Sequence, residues 1–163
     1  MPQSSEICNI IRPLNLPVAN LNLRHTAAGA EVYDPRRGRW LVLTPEEWVR
    51  QHFVNFLVDS LEVPSTLVVN EKSISLNGTT KRCDTVIYSR SLTPLAIVEY
   101  KAPSVRITRK VFDQIVRYNM VLHVRYLIVS NGLSHYCCRV DYEAGRCEFL
   151  SKLPLYDDMI QIP

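Results

Sequence analysis

The sequence predicts a single α/β domain in which helices flank a mixed sheet. Three observations lead to this class. A clearly marked helix begins near residue 45, three strand-like runs follow it, and a second helix then leads into a short aliphatic strand. A strand, a crossover helix and a further strand in that order give a parallel pair. With 163 residues, the chain is long enough for one domain with a buried core.

The first thirty residues carry the weakest signals for regular structure. Pro2, Pro13, Pro17 and the small-residue run TAAGA favour an extended arm over residues 1–30. The segment EVYD-PRRG-RWLVL then places a turn with Pro and Gly between two runs rich in Val, Tyr, Trp and Leu, which is a hairpin signal. We therefore expect the main domain to occupy residues 31–150.

The first helix is predicted from its start. Thr44 precedes Pro45, and Glu47 follows three residues after the threonine, which is the pattern of a capping box. Glu46 falls on the apolar stripe of this helix, whereas Glu47 lies off it. An acid in a first turn also favours the helix dipole, so a purely structural role for Glu46 stays open. The apolar stripe comprises Val49, Phe53, Phe56 and Leu57.

The rest of the chain alternates strand and helix signals. The runs TLVVNEKSISL, KRCDTVIY and LAIVEYK are separated by an NG turn and by SRSLTP, which predicts a three-stranded meander. TRKVFDQIVRYNMVL has helical periodicity, and the aliphatic VRYLIVSN is typical of a strand buried on both faces. HYCCRVDY and RCEFL predict an edge hairpin, and we expect residues 151–163 to form an irregular tail.

Composition excludes several classes of protein. No apolar run approaches the roughly 20 residues of a membrane span, and no signal sequence is evident, so we expect a cytoplasmic protein. The five cysteines lack zinc-ligand spacing, and the adjacent Cys137 and Cys138, which would face opposite sides of a strand, are expected to be small buried apolar side chains in a reducing compartment. The basic residues cluster, which suits nucleic acid and ordinary solvated faces equally well. The clusters are Arg36, Arg37 and Arg39; Lys81 and Arg82; and Lys101, Arg106, Arg109, Lys110 and Arg117.

Two acids and a lysine converge if the second and third strands of the meander form a symmetric hairpin. In the register centred between residues 91 and 92, Asp84 lies opposite Glu99, and cross-strand Cβ atoms are about 5 Å apart. Glu99 and Lys101 share a face because strand side chains alternate. A surface salt bridge needs only one acid. A second carboxylate raises a pKa unless a cation lies between the two, so the pair indicates a metal site.

Such a site suits metal-dependent hydrolysis of phosphodiester bonds. Mg²⁺ takes one or two carboxylates together with water and substrate phosphate oxygens, and we expect Asp84 and Glu99 to be its ligands, with Mn²⁺ as a substitute. Lys101 would orient or help to deprotonate the attacking water and stabilise charge on the phosphate. We therefore predict Lys101 to be the catalytic lysine.

These residues resemble a known family. Asp84, followed after fourteen residues by Glu99-Tyr100-Lys101, resembles the D…(D/E)xK signature of the PD-(D/E)XK nuclease superfamily. Gln114-Ile-Val-Arg-Tyr118 resembles the QxxxY motif of RecB-like nucleases and of the nuclease domain in type I restriction motor subunits. Over about residues 31–150, the chain is similar to stand-alone proteins grouped with the N-terminal domain of the type I restriction R subunit.

The resemblance implies a restriction-endonuclease-like αβββαβ core with an added β-hairpin, acting on DNA with Mg²⁺. It implies that Glu46 is an auxiliary acid and that Gln114 and Tyr118, which share a helix face, position the substrate. The structural alternative is that Tyr118 packs in the core and Gln114 caps a strand end. The basic residues expected to bind the substrate are Arg117, Lys81 and Arg82.

Two departures from the family pattern are visible. Cys83 replaces the proline that precedes the first aspartate, which leaves the carboxylate in place. No GxxxxGK[ST] phosphate loop occurs, so we expect neither ATP binding nor a motor activity. The second hypothesis is a non-catalytic nucleic-acid-binding or assembly module on the same scaffold, and protein partners or a homodimer are compatible with both hypotheses.

Overall fold

The computed structural model describes residues 10–161, which form a six-stranded sheet with helices on both faces and a separate three-stranded sheet. The strands are β1 (Leu23–Thr26), β2 (Gly29–Asp34), β3 (Arg39–Val42), β4 (Val68–Leu76), β5 (Thr79–Tyr88), β6 (Pro94–Tyr100), β7 (Tyr126–Ser130), β8 (His135–Asp141) and β9 (Arg146–Leu150). The helices are α1 (Pro45–Asp59), α2 (Arg109–Leu122) and α3 (Tyr156–Gln161), with a 3₁₀ turn at Ser65–Leu67. No helix within residues 10–161 is long and apolar enough to cross a membrane.

The large sheet confirms the predicted mixed topology. Its strands lie in the order β4-β5-β6-β7-β8-β9, and β6 and β7 are parallel and connected through α2. The other neighbours in this sheet are antiparallel. The NG turn joins β4 to β5 with positive φ at both Asn77 and Gly78, as a two-residue hairpin requires. The predicted edge hairpin is β8–β9.

Two apolar layers cover the faces of the large sheet. On one face, Phe53 of α1 and Met159 of α3 pack with Tyr100 of β6. On the other face, Ile115 of α2 packs with Ile97 of β6. The adjacent cysteines Cys137 and Cys138 enter opposite layers, as strand alternation predicts. The carboxyl end of β6 carries the candidate metal ligand Glu99, and Lys101 directly follows the strand.

The prediction that residues 1–30 form an arm with little regular structure is wrong for residues 23–30, whereas residues 11–22 have no helix or strand. β1 pairs with β2 across the TAAGA turn, and the predicted β2–β3 hairpin completes a meander. Residues 10–22 pack against the main fold, since the Trp48 indole donates to the Arg12 carbonyl oxygen and the Asn15 amide donates to that of Gly132. Leu14 fills the space where a side chain at position 132 would lie. Residues 1–9 of the predicted arm lie outside the described residues.

The prediction of an irregular tail is also corrected. Residues Tyr156–Gln161 form the short helix α3, whose Tyr156 and Met159 are buried one turn apart. The Tyr156 hydroxyl donates to the Tyr88 carbonyl oxygen at 3.0 Å. The tail therefore packs on the large sheet because its two apolar side chains lie on one helical face. Residues 162–163 lie outside the described residues.

Candidate active site

The hairpin of β5 and β6 brings the two predicted metal-binding carboxylates together. Its regular pairs end at Thr85–Val98 and have the register that the sequence predicts. Asp84 lies one residue beyond that pair, and its Oδ2 atom accepts a hydrogen bond from the Tyr100 amide at 2.9 Å. Tyr100 stands between Glu99 and Lys101, so the aspartate reaches the centre of the Glu-Tyr-Lys segment.

Glu99 is buried and only half satisfied. Its side chain has one oxygen, Oε1, that accepts from Lys101 Nζ at 2.8 Å and from Gln114 Nε2 at 2.7 Å. The other oxygen, Oε2, is buried without a hydrogen-bond partner among residues 10–161. Burial raises the pKa of Glu99 to about 7, and the charge of Asp84 adds to this effect while the Lys101 hydrogen bond opposes it. The carboxylate is thus held in place but is not fully compensated.

Lys101 is the partner of Glu99 and keeps its charge. Burial acts to lower the lysine pKa, but the hydrogen bond and the charge of Glu99 outweigh it, so the pKa is raised overall. The ammonium therefore remains protonated at neutral pH. In this state Lys101 can donate hydrogen bonds to a water or a phosphate oxygen, but it cannot accept a proton.

The first turn of α1 separates the roles of its two acids. Glu46 is half-buried, and its pKa is raised by burial and by the charge of Asp84, while Lys101 opposes the rise. Glu47 accepts from Arg37, Arg50 and Gln51. The Thr44 hydroxyl accepts from the Glu47 amide at 3.0 Å, which confirms the predicted N-cap. Glu46 thus lies close enough to Asp84 for their charges to interact, and Arg50 links Glu47 to Asp84 as well.

The predicted Gln114–Tyr118 pair lies beside Glu99. Gln114 Nε2 donates to Glu99 Oε1 and, at 3.2 Å, to the Tyr118 hydroxyl. Tyr118 is half-buried against the apolar layer under α2. Gln114 therefore contacts the candidate metal-binding carboxylate directly, and its amide helps to fix the position of Oε1.

The predicted basic residues are more widely spread. Arg82 lies two residues before Asp84, and its Nη1 is 3.6 Å from Glu71 Oε1. Lys81 is exposed and pairs across the β4–β5 ladder with Ile74. Arg117 is exposed on α2 and its Nε donates to the Asp113 carbonyl oxygen along the same helix. Among these three residues, Arg82 is the one that shares a charged contact with residues near Asp84.

A buried arginine on α1 is the main site residue that the sequence prediction missed. Arg50 Nη2 contacts Asp84 Oδ1 at 3.0 Å, and its Nη1 contacts Glu47 Oε2 at 2.9 Å. Its guanidinium also lies over the Tyr100 ring, 5.7 Å from the centroid. The spacing of Glu47 and Arg50 was a visible i,i+3 pair, but nothing in the sequence links Arg50 to a residue 34 positions away.

The donor set fits a hard divalent cation that keeps several waters. Within residues 10–161, no group of three or more His, Cys, Asp and Glu side chains is arranged to hold a metal ion. Asp84 and Glu99 nevertheless supply two carboxylates, and one buried oxygen of Glu99 lacks a partner. Mg²⁺ commonly binds through one or two carboxylates plus water and phosphate oxygens, so this set fits it better than it fits zinc.

Comparison with known proteins bears on the family and the fold of this chain. Residues 45–154 match the family model of the type I restriction enzyme R protein N terminus (HSDR_N). A fragment of a protein assigned to the HsdR subunits of type I restriction enzymes, from Vibrio vulnificus YJ016, superposes with a TM-score of 0.54 at 19% identity. The superposition covers 71% of this chain and 24% of that one, so the chain spans about a quarter of the HsdR fragment.

A second solved structure is more distant. It is a DUF820 protein from Anabaena variabilis ATCC 29413, proposed to be a nuclease, with a TM-score of 0.49 and 11% identity. The superposition covers 86% of this chain and 88% of that one. Among curated proteins, no relative matches the chain.

Proposed function

Because this chain belongs to the family of the type I restriction enzyme R protein N terminus, we propose that it is a nuclease domain that hydrolyses DNA phosphodiester bonds with Mg²⁺. The observation that carries the proposal is the buried, unpartnered oxygen of Glu99 beside Asp84 and Lys101. Leaving an anionic oxygen buried without a partner costs free energy, and a cation at this point would remove that cost.

Asp84 and Glu99 are the residues that would hold the ion. Bound Mg²⁺ would polarise the scissile phosphate and neutralise the charge that develops on it. Gln114 and Lys101 hold Oε1 of Glu99, so the carboxylate keeps one orientation. Lys101 would donate a hydrogen bond to the attacking water or to a phosphate oxygen. Glu46, half-buried near Asp84, would accept a hydrogen bond from a water that enters the site.

Contacts to the rest of the substrate would come from the surrounding basic and polar side chains. We assign these contacts to Gln114, Tyr118, Arg117, Lys81 and Arg82. Contacts to phosphates position a nucleic acid without reading its sequence, so specificity would come from other groups. A partner protein or a second copy of the chain would supply them.

The experiment is a cleavage assay on supercoiled and linear DNA with Mg²⁺ or Mn²⁺. We expect nicking by the wild-type protein, none with EDTA, and a loss of about 10²-fold or more in Asp84→Ala, which removes a ligand of the ion, and in Lys101→Ala, which removes a cation that acts on the phosphate. Asp157→Ala and Lys152→Ala are matched controls that remove exposed charges outside the site and should cleave normally.

Two outcomes would contradict the proposal. Nicking that survives in both site variants would mean that another group does the chemistry. Salt-sensitive retention of DNA by all variants, without metal and without cleavage, would instead favour the non-catalytic binding module.

A further inference from the structure

Four arginines surround one glutamate next to the candidate metal site. Glu71 lies in β4 between Asn70, which pairs with Thr85, and Lys72, which pairs with Cys83, so it is the cross-strand neighbour of Asp84. Its backbone has a φ of 55°, a left-handed conformation that residues other than glycine rarely adopt. The guanidinium groups within 4 Å of its carboxylate belong to Arg37 at 3.1 Å, Arg39 at 3.5 Å, Arg82 at 3.6 Å and Arg50 at 3.7 Å.

The inner two arginines are already compensated. Arg37 pairs with Asp34 and Glu47, and Arg50 pairs with Glu47 and Asp84. These partners are largely buried, so the inner part of the cluster is a closed ionic network. A substrate could reach it only by displacing acids from their hydrogen bonds.

The outer two arginines differ in exposure and in partners. The side chains of Arg39 and Arg82 are 60% and 65% exposed. Among the described residues, Glu71 is the acid that the structure gives to each of them, at distances beyond those of a strong charge-assisted hydrogen bond. Arg39 comes from β3 of the small sheet and Arg82 from β5 of the large one, so Glu71 is contacted by one exposed arginine from each sheet.

We propose that Arg39 and Arg82 form a clamp for a backbone phosphate of a nucleic-acid strand, and that the Glu71 carboxylate occupies this clamp until a phosphate replaces it. The inference rests on the proposed function, because it places the clamp beside Asp84 on the path of the strand. Guanidinium groups suit the clamp because their planar array of donors matches phosphate oxygens. Arg39 lies outside residues 45–154, so the small sheet contributes to substrate binding although the family model does not include it.

The test is a binding titration with a fluorescein-labelled 20-base-pair DNA duplex in EDTA over a range of salt concentrations. We expect Arg39→Ala and Arg82→Ala each to weaken binding several-fold and to reduce the slope of log K against log salt by about 0.9, the value for one lost phosphate contact. Glu71→Gln should tighten binding, because it removes the competing anion. Melting temperatures of all variants report on their folding.

Arg90→Ala is the matched control. Arg90 is 72% exposed and has a loose ion pair of 3.7 Å with Asp157, so its removal changes the net charge equally. It lies between β5 and β6, at the end of the hairpin away from Asp84. We expect its slope to equal that of the wild type. Equal slopes for Arg39→Ala, Arg82→Ala and Arg90→Ala would overturn the clamp, as would weaker binding by a folded Glu71→Gln protein.

Different results would contradict the clamp and the nuclease proposal. DNA cleavage by the wild type with unchanged slopes in the arginine variants would remove the clamp and leave the nuclease. Reduced slopes in Arg39→Ala and Arg82→Ala without cleavage under any metal would remove the nuclease and leave the clamp. If Glu71→Gln does not fold, the two arginine slopes decide the question.

Discussion

The two carboxylates of the candidate site are held in opposite ways. Asp84 has a hydrogen-bond donor on each oxygen, Arg50 on Oδ1 and the Tyr100 amide on Oδ2. Within the part of the chain that the structure describes, Glu99 has two donors on one oxygen and none on the other. Asp84 is thus already neutralised by a buried cation, whereas Glu99 is deeply buried with half of its carboxylate uncompensated.

This difference indicates how a metal ion would bind. At Glu99 a cation would satisfy an oxygen that has no partner among residues 10–161, but it would displace the proton that a pKa of about 7 keeps on part of the carboxyl groups at neutral pH. At Asp84 the same cation would share the carboxylate with Arg50, which costs part of an existing ion pair. In the proposed metal site, Glu99 would therefore be the ligand with an open oxygen, and Arg50 would keep Asp84 in position when metal is absent.

The largest effect that tests this comparison is expected from Arg50→Ala. The substitution leaves Glu47 and Asp84 without their shared cation, and breaking a buried ion pair in this way costs about 3–5 kcal/mol. It also removes the guanidinium from the Tyr100 ring. Urea unfolding in EDTA should show this loss in the free energy of unfolding.

Arg139→Ala is the control for that measurement. Arg139 pairs with Glu148 at 2.6 Å, but both side chains are substantially exposed, so solvent screening should leave the pair with little effect on the free energy of unfolding. If the two variants lose the same small amount of stability, Arg50 does not stabilise the Asp84 carboxylate. The proposed difference between Asp84 and Glu99 is then wrong.

The second effect is the pH dependence that Glu99 gives to the metal-free protein. Its pKa is raised from 4.5 to about 7, first by burial and then by Asp84. A carboxyl group with a raised pKa stabilises the fold below pH 4.5 and loses that contribution as the pH rises through about 7. The loss is at most about 3 kcal/mol. Glu99→Gln should remove this pH dependence and be more stable than the wild type at pH 8.

Comparing the wild type with Glu99→Gln separates the contribution of Glu99 to the pH dependence of stability from those of other titrating groups. Burial lowers the pKa of His52 and His135, which changes stability with pH in the opposite direction but equally in both proteins. Asp84→Asn should behave differently from Glu99→Gln, since it weakens the pair with Arg50 and destabilises the protein. A wild-type curve parallel to that of Glu99→Gln between pH 5 and pH 8 would contradict the assignment.

The predicted register of the β5–β6 hairpin succeeded because local signals fix it. Turn residues bound the two strands on both sides, and a one-residue slip would move every apolar side chain of β6 to the wrong face. The sequence therefore predicted the approach of Asp84 to the Glu99 segment. That these residues bind metal remains a prediction.

The ionic network around Asp84 could not be predicted in the same way. Arg50, Glu71 and Arg37 lie on three separate elements, and their contacts depend on how α1 and the small sheet pack against β4. Charged residues in a sequence most often indicate solvated surface, so a buried arginine gives no distinct signal. The predictions for the arm and the tail were wrong for a similar reason. The packing of Leu14 and Met159 provides tertiary contacts that outweigh the weak local propensity of these segments.

The smallest effect concerns the role of Gln114. If Gln114 fixes Oε1 of Glu99, Gln114→Ala should lower kcat by about tenfold, which corresponds to one lost hydrogen bond to a charged group, and leave KM unchanged. If Gln114 instead binds a substrate phosphate, KM should rise. Tyr118→Phe is the comparison variant: it keeps the Gln114–Glu99 contact, and because Tyr118 is assigned a substrate contact, its loss of the hydroxyl should raise KM and leave kcat unchanged. Steady-state cleavage kinetics distinguish the two roles, and a raised KM with normal kcat would show that Gln114 contacts the substrate.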